Sequence, residues 1–582
     1  MKQKKYILNV KAKNIGKVIR TIIEAIVILA VVTVFVFLVV NVKHYQEPDK
    51  SSWTNREGFV ALTYFGVNRA GSSKLIPQKE LEKQLKILHD MGYQTVSQQD
   101  ILDFYNGKPL PEKALFLGFE DGRNDSSLFA QPVLEKYNYR ATMYTYANRL
   151  NDADLKFLTT DQLVDLIKNG YWELGSNGYR LTYINVLDRF NNFMPMIDDS
   201  EYNEIETAKD YTHYLMDFLR DKDGIPTEDK QEMQERIHTD YGNMEKLYNE
   251  GFGYMPGAYI IMHSNELYYG MNELVEAEND KDIRSYFNMN FNRDLNCYNT
   301  AEKDLYDLNR LQVGAYWYTN HLLMAMQRDI GEDVAFLTGD QERAADWDVK
   351  KGVAEFIGNK IAFTSPPKSD GLMVLKSSLN YDNITISTTL TGEVVGNQCI
   401  YLRYADNGNS YLRIRSGNNQ IIVEQKRPEQ ALETLFVYNM ALPGYEKENG
   451  PSRLQEEFLY NDDGSINEDA PQPYLKGLSK TTDLKVELSG QSMRLTVDGY
   501  IVNSDIPVDS SIAGKAVALG TWRSRINAKD DIYDAVFQNL KITKADDQDA
   551  VLYSDTYGLS EGILAWIKDV YNALINWSMA MF

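Results

Sequence analysis

Glu120 and Asp121 stand side by side at the end of an apolar run, Ala114 to Phe119, and Gly122 follows them. The stretch A-L-F-L-G-F-E-D-G reads as a buried strand that stops in two carboxylates. Neighbouring acids at a strand tip repel, so they call for a metal ion, a base-and-water arrangement, or solvent. In an α/β barrel the carboxyl ends of the strands are where reacting groups gather. A carboxylate pair also admits glycoside hydrolysis, provided a second acid lies about 5–9.5 Å from the first.

The elements that would position these acids follow from periodicity. Phe59–Val67, Tyr93–Val96, Ala114–Phe119 and Ala141–Tyr146 read as strands. Leu81, Leu85 and Leu88 share one helix face, and Thr160 is the expected N-cap of a helix whose inward face is Leu163, Leu166 and Ile167. Short strands alternating with helices predict a parallel α/β layout over residues 58–340. Residues 183–250 are polar and acidic and are expected to form a largely helical insertion. Beyond residue 341 the period becomes two. Eight runs alternate there: Ile384–Leu390, Cys399–Tyr404, Tyr411–Arg415, Gln420–Gln425, Leu484–Leu488, Met493–Val497, Ala516–Leu519 and Val536–Ile542. Turn signals such as Asp498-Gly499 separate them, which predicts an antiparallel β-sandwich over 341–546, with one long loop between 428 and 480.

The amino end is of another kind. Residues 1–20 carry seven cations and no acid, and Ile22 to Val42 is a 21-residue apolar run interrupted by Glu24, Thr33 and Asn41. At about 1.5 Å per residue such a run is long enough to cross a bilayer. It is too long for a signal-peptide core and no small-residue cleavage site follows. The expectation is a basic cytoplasmic tail (1–20), an uncleaved single-pass signal anchor (21–43), a linker (44–57) and an extracytoplasmic remainder. Residues 51–582 hold 52 Lys/Arg against 80 Asp/Glu, a surface that repels nucleic acid and anionic lipid. Cys297 and Cys399 are the only cysteines, which excludes a disulfide framework. In the tail 547–582, Ile563, Ile567, Val570, Leu574 and Trp577 form one apolar side, suited either to a membrane interface or to docking on the protein itself.

Five segments in order, F-V-A-L-T-Y-F-G-V, L-E-K-Q-L-K-I-L-H-D-M-G-Y-Q-T-V-S, G-K-P-L-P-E-K-A-L-F-L-G-F-E-D-G, P-V-L-E-K-Y-N-Y-R-A-T-M-Y and L-T-T-D-Q-L-V-D-L-I-K-N-G-Y-W-E-L-G-S, resemble the polysaccharide deacetylase (NodB-homology) family. The likeness is to its extracellular branch acting on poly-N-acetylglucosamine-type polymers. F-G-Y-M-P-G-A-Y and L-N-R-L-Q-V are similar to later family segments, and the resemblance spans about residues 59–325. It implies a distorted TIM-type barrel and hydrolysis of N-acetyl groups by a zinc-like divalent metal held by one Asp and two His, with a carboxylate as base. The metal would lower the pKa of a bound water at an open position.

Carried over by position, Glu120 stands at the base and Asp121 at the metal-ligand position. The two metal-binding histidines are absent. Asn177 and Leu181 occupy their places, and Tyr64-Phe65 replaces an aromatic-His pair. His263 is a further catalytic candidate, while Asn177, Tyr179, Tyr254 and Arg310 are candidates for a sugar groove. Two readings stand side by side: a barrel that binds cell-surface amino-sugar polysaccharide with little or no hydrolase activity, and an active N-deacetylase using substitute ligands such as Glu173, Asp125 or His263. The sandwich resembles concanavalin-like and laminin-G-like domains, which implies carbohydrate binding, with Arg403, Tyr404 and Tyr411 as candidates should they face outward. The partners expected are cell-surface polysaccharide, the membrane, and a synthase or deacetylase of the same export system.

Overall fold

The computed structural model describes residues 43–556 except 73, 152–153, 189–191, 199–207, 262–266, 269–270, 295, 393–395, 418–419, 441–480 and 524–529, together with parts of 17–29. Most of Ile22–Val42, the tail from 557 onward and most of the expected 428–480 loop therefore lie outside the described residues. Among the described residues no helix is long and apolar enough to cross a membrane.

The first half is built on a curled, mostly parallel sheet of nine strands. Its order is Met289–Asn290, Ala258–Tyr259, Trp172–Gly178, Ala141–Tyr146, Ala114–Phe119, Gly58–Tyr64 and Tyr298–Thr300, with Leu311–Val313 beside Gly58–Tyr64 and Gln94–Thr95 beside Ala114–Phe119. Among the described residues this path does not close, so the distorted TIM-type barrel expected is an open, curled half-barrel. Gly58–Tyr64, Ala114–Phe119 and Ala141–Tyr146 are buried at every position. Burial on both faces is why these strands read as continuous apolar runs. On the inner face Phe116 stacks on Phe291 at 4.7 Å. Tyr144 lies flat between two glycines: a Cβ added at Gly118 or Gly175 would sit 2.9 or 2.5 Å from its ring.

Helix Gln78–Asp90 buries Leu81, Leu85 and Leu88 as its spacing requires. The helix Thr160–Lys168 is capped by Thr159, one residue before the expected N-cap, because Thr159 and Gln162 form a reciprocal capping box. The insertion is a larger correction. It opens as a three-stranded antiparallel sheet, Ala208–His213, Thr182–Asp188 and Phe193–Asp198, before the long helix Lys230–Phe252. The run T-Y-I-N-V-L-D, which buries Tyr183, Ile184 and Val186, does not alternate strictly and is embedded in acidic composition.

The second half is two stacked antiparallel sheets. The seven-stranded one runs Trp347–Lys351, Asp370–Leu375, Ala516–Arg523, Gly396–Tyr404, Tyr411–Gly417, Gln420–Lys426, Leu432–Asn439. The other has eight strands centred on Asp534–Lys544 and Ile384–Leu390. Ile400, Leu402, Ile414 and Val423 face Val486, Leu495 and Phe537 in the core between them. All eight expected runs fall on strands. The additional ones include Leu432–Asn439, a strand inside the stretch expected to be loop, and Tyr500–Pro507; both are largely exposed and so carry no alternating pattern.

The two halves meet at a buried charge cluster. His321, fully buried on helix Thr319–Ile330, reaches Asp530 Oδ1 through Nε2 at 3.1 Å and Asp534 Oδ2 through Nδ1 at 3.0 Å. Its ring stacks on Trp317 at 4.2 Å. Burial alone would lower the imidazole pKa, but the two carboxylates outweigh it and hold it at about 10.

Candidate functional site

Parallel registry gathers the strand ends. Tyr64 pairs with Phe119 on one side and with Val313 on the other, so the residue after Phe119 and the polar side chains of the Leu311–Val313 strand converge at the carboxyl rim. Glu120 is fully buried there. Arg310 donates its Nε–H to Glu120 Oε1 at 3.0 Å, and Gln312 donates from Nε2 to Glu120 Oε2 at 2.6 Å. Arg310 and Gln312 are two apart on an extended segment and therefore share a face. Both carboxylate oxygens are thus engaged by neighbouring side chains.

Asp121 is buried and adopts φ +74°, a left-handed conformation that Asp tolerates better than most residues. Its backbone N–H donates to Asn177 Oδ1 at 3.0 Å, while Asn177 Nδ2 donates to the Ile260 carbonyl at 3.4 Å. Asn177, on the buried strand end Trp172–Gly178, is thus a brace for the Asp121 turn rather than part of an open groove. Leu181 and Phe65 pack against the apolar cluster that contains Tyr146 and Ile260. Tyr64 is buried, stacks on Phe119 at 5.5 Å, and donates its hydroxyl proton to Gln84. Tyr144 belongs to the other cluster, with Tyr146 and Ile260, its hydroxyl buried without a hydrogen-bond partner and its pKa pushed well up by burial.

This donor set does not fit a three-ligand divalent site. Asp121 is accompanied by a committed amide and an alkyl side chain, and late transition metals favour imidazole or thiolate. Among the described residues no group of three or more His, Cys, Asp or Glu side chains is arranged to hold a metal ion. The substitute ligands fare no better. Glu173 lies near the start of the strand Trp172–Gly178 and Asn177 near its end, four residues and roughly 13 Å away along it. It accepts the Gln98 N–H at 2.9 Å, and burial raises its pKa to about 7. Asp125 is bound through both oxygens by Arg123, at 2.9 Å each. His263 lies outside the described residues.

The groove candidates also divide. Arg310 is buried and serves as the counterion of Glu120. Tyr254 is 48 % exposed but precedes the strand Ala258–Tyr259, and burial followed by the nearby Glu173 raises its pKa. It therefore sits at the amino end of the sheet, away from Glu120. Tyr179 follows the strand end at the rim, partly buried against the core, with Arg180 over its ring at 5.6 Å. On the sandwich, Tyr404 and Tyr411 stack at 6.1 Å on the outer face of the seven-stranded sheet beside Tyr401, whereas Arg403 is buried and donates to the Gly490 carbonyl at 2.6 Å. Sequence reasoning missed Gln312 and the His321–Asp530–Asp534 cluster. The N-R-L-Q alternation carried the signal for the first, and the second spans more than 200 residues and left none.

No family model matches the chain. It is 32% identical over 129 residues to the YxkH protein of Bacillus subtilis (strain 168), which bears a polysaccharide deacetylase name, covering 22% of this chain and 45% of that one. It is 30% identical over 123 residues to the poly-β-1,6-N-acetyl-D-glucosamine N-deacetylase of Escherichia coli (strain K12), covering 20% of this chain and 18% of that one. The chain thus spans less than half the length of either relative. Among solved structures it is similar to a de-N-acetylase from Aggregatibacter actinomycetemcomitans, at 21% identity and TM-score 0.35 over 45% of this chain and 96% of that one. It is also similar to IcaB from Ammonifex degensii, at 17% identity and TM-score 0.32 over 44% and 92%. The relatives this chain resembles in sequence are thus polysaccharide deacetylases, a poly-β-1,6-N-acetyl-D-glucosamine N-deacetylase among them.

Proposed function

We propose that this chain is a membrane-anchored, extracytoplasmic deacetylase homologue that binds cell-surface amino-sugar polysaccharide and has little or no hydrolase activity. One observation carries the reading. At the positions where the family places its two histidines, Asn177 spends its amide on the Asp121 and Ile260 backbones, and Leu181 packs into an apolar cluster. Restoring a metal site would require breaking a buried hydrogen bond as well as supplying ligands. Glu120 keeps the position of the base but is neutralised by Arg310 and held by Gln312. What remains is a rim shaped by descent from a sugar-processing barrel, joined to a sandwich with an aromatic outer face.

The basic residues 1–20 and the apolar run Ile22–Val42 support a single-pass anchor with the amino terminus in the cytoplasm. The acidic remainder supports a polymer that is neutral or cationic, as amino-sugar polymers are. Titration calorimetry of the purified full chain against poly-β-1,6-N-acetylglucosamine tests the binding function. Saturable binding that survives EDTA is expected. No binding, or binding that EDTA abolishes, contradicts the reading. Membrane fractionation with external protease tests the anchor, and a chain recovered entirely in the soluble fraction contradicts it.

A further inference from the structure

The loops that leave the carboxyl ends of Gly58–Tyr64 and Leu311–Val313 do not end in solvent. They meet the sandwich, and between them lies a cleft of about 460 Å³. On the α/β side its walls include the aromatic turn Tyr316-Trp317-Tyr318 and Glu80; on the sandwich side they include Lys360 and Gly392. The volume falls within the range of roughly 300–1,000 Å³ typical of small-ligand sites.

The aromatic turn is held from behind. Asp530 Oδ2 accepts from the Tyr316 hydroxyl and from Trp317 Nε1, both at 2.9 Å, and Asp534 Oδ2 accepts the Tyr318 N–H at 3.1 Å. Both acids belong to the sandwich half and are bridged by His321. Three side chains from the two halves thus fix one turn, leaving Tyr318 half-buried at the cleft wall while Trp317 is spent on the His321 stack. A rigid aromatic residue, an acid, a base and a glycine-floored wall form a polar, ring-accepting surface. Aromatic rings take the C–H face of a sugar, and flanking charged groups take its hydroxyl and amide edges.

We propose that this cleft is a glycan subsite, built jointly by the two halves, which takes a β-linked N-acetylhexosamine segment. Tyr318 supplies the stacking surface, Glu80 and Lys360 the polar contacts, and His321 acts as a positioning residue through Asp530 and Asp534. The inference rests on the glycan-binding reading above, and its test separates the two.

The full chain is titrated with a β-1,6-linked N-acetylglucosamine hexamer, as wild type, as Tyr318→Ala and as Ala70→Trp, which fills the cleft from an exposed loop position. The expected result is a loss of affinity of at least about tenfold in both variants, with melting temperatures unchanged; truncating a buried anchor commonly costs this much. Wild-type binding retained within twofold by both variants overturns the subsite and leaves the glycan-binding reading intact. A wild type that does not bind overturns that reading and the subsite with it. Should Tyr318→Ala melt early, Ala70→Trp alone decides.

Discussion

Arg310 and Glu120, 190 residues apart in the chain, form a buried ion pair at 3.0 Å, with side chains 1 % and 0 % exposed. Such a pair is costly to break from one side, because the remaining charge has no water to turn to. Arg310→Met is therefore expected to destabilise the protein by about 3–5 kcal/mol. The double variant Arg310→Met/Glu120→Gln is expected to recover most of that loss. Urea denaturation of the three proteins measures it, and equal losses in single and double variants would show that the pair is not coupled.

Asn177 supports the Asp121 turn by accepting its N–H at 3.0 Å. Asn177→Leu leaves the Asp121 N–H unsatisfied in a buried place, a cost of about 1–3 kcal/mol. Hydrogen exchange gives the sharper reading, since protection should fall at Asp121 while the strand Gly58–Tyr64 stays protected.

His321 makes the junction of the two halves sensitive to alkali. Its folded pKa, about 10, lies above the unfolded 6.5, so the folded state holds the proton more tightly. The stabilisation is complete below pH 6.5 and is lost as pH rises through 10. Asp530 is held below its ordinary value by His321 despite burial, so its contribution is lost on the acid side as pH falls. The melting temperature of the wild type should decline between pH 6.5 and 10 relative to His321→Gln. Parallel profiles would contradict the charged state of the imidazole.

Glu173 behaves in the opposite way to an ion-paired acid. Burial raises its pKa from 4.5 to about 7, so the folded state retains a proton that the unfolded chain releases. Stability is therefore lost as pH rises from 4.5 through 7. Glu173→Gln keeps an acceptor for the Gln98 N–H and removes the charge, and is expected to raise the melting temperature at pH 8 but not at pH 4.

Much of the α/β half was legible because its strands are buried on both faces and write themselves as apolar runs. Glu120 and Asp121 were legible for the same reason, as charges interrupting such a run. Their surroundings were not. Arg310 looked like a groove residue because nothing in L-N-R-L-Q-V says which way the alternate side chains point; the parallel pairing of Leu311–Val313 with Gly58–Tyr64 decides that. Asn177 read as a lost ligand, whereas the fold gives it a bracing role. The strands Thr182–Asp188 and Tyr500–Pro507 escaped because one is embedded in acidic composition and the other has little burial to create a period.

In the reading proposed above, Asn177 and Leu181 leave the sheet rim with a hydrogen-bonded and apolar arrangement in place of a metal site. Elemental analysis of the purified full chain after incubation with zinc, paired with acetate release from a β-1,6-linked N-acetylglucosamine hexamer, tests it most directly. Metal well below one equivalent and no acetate above background are expected. One equivalent of bound metal, with acetate release abolished by Asp121→Ala, would contradict it.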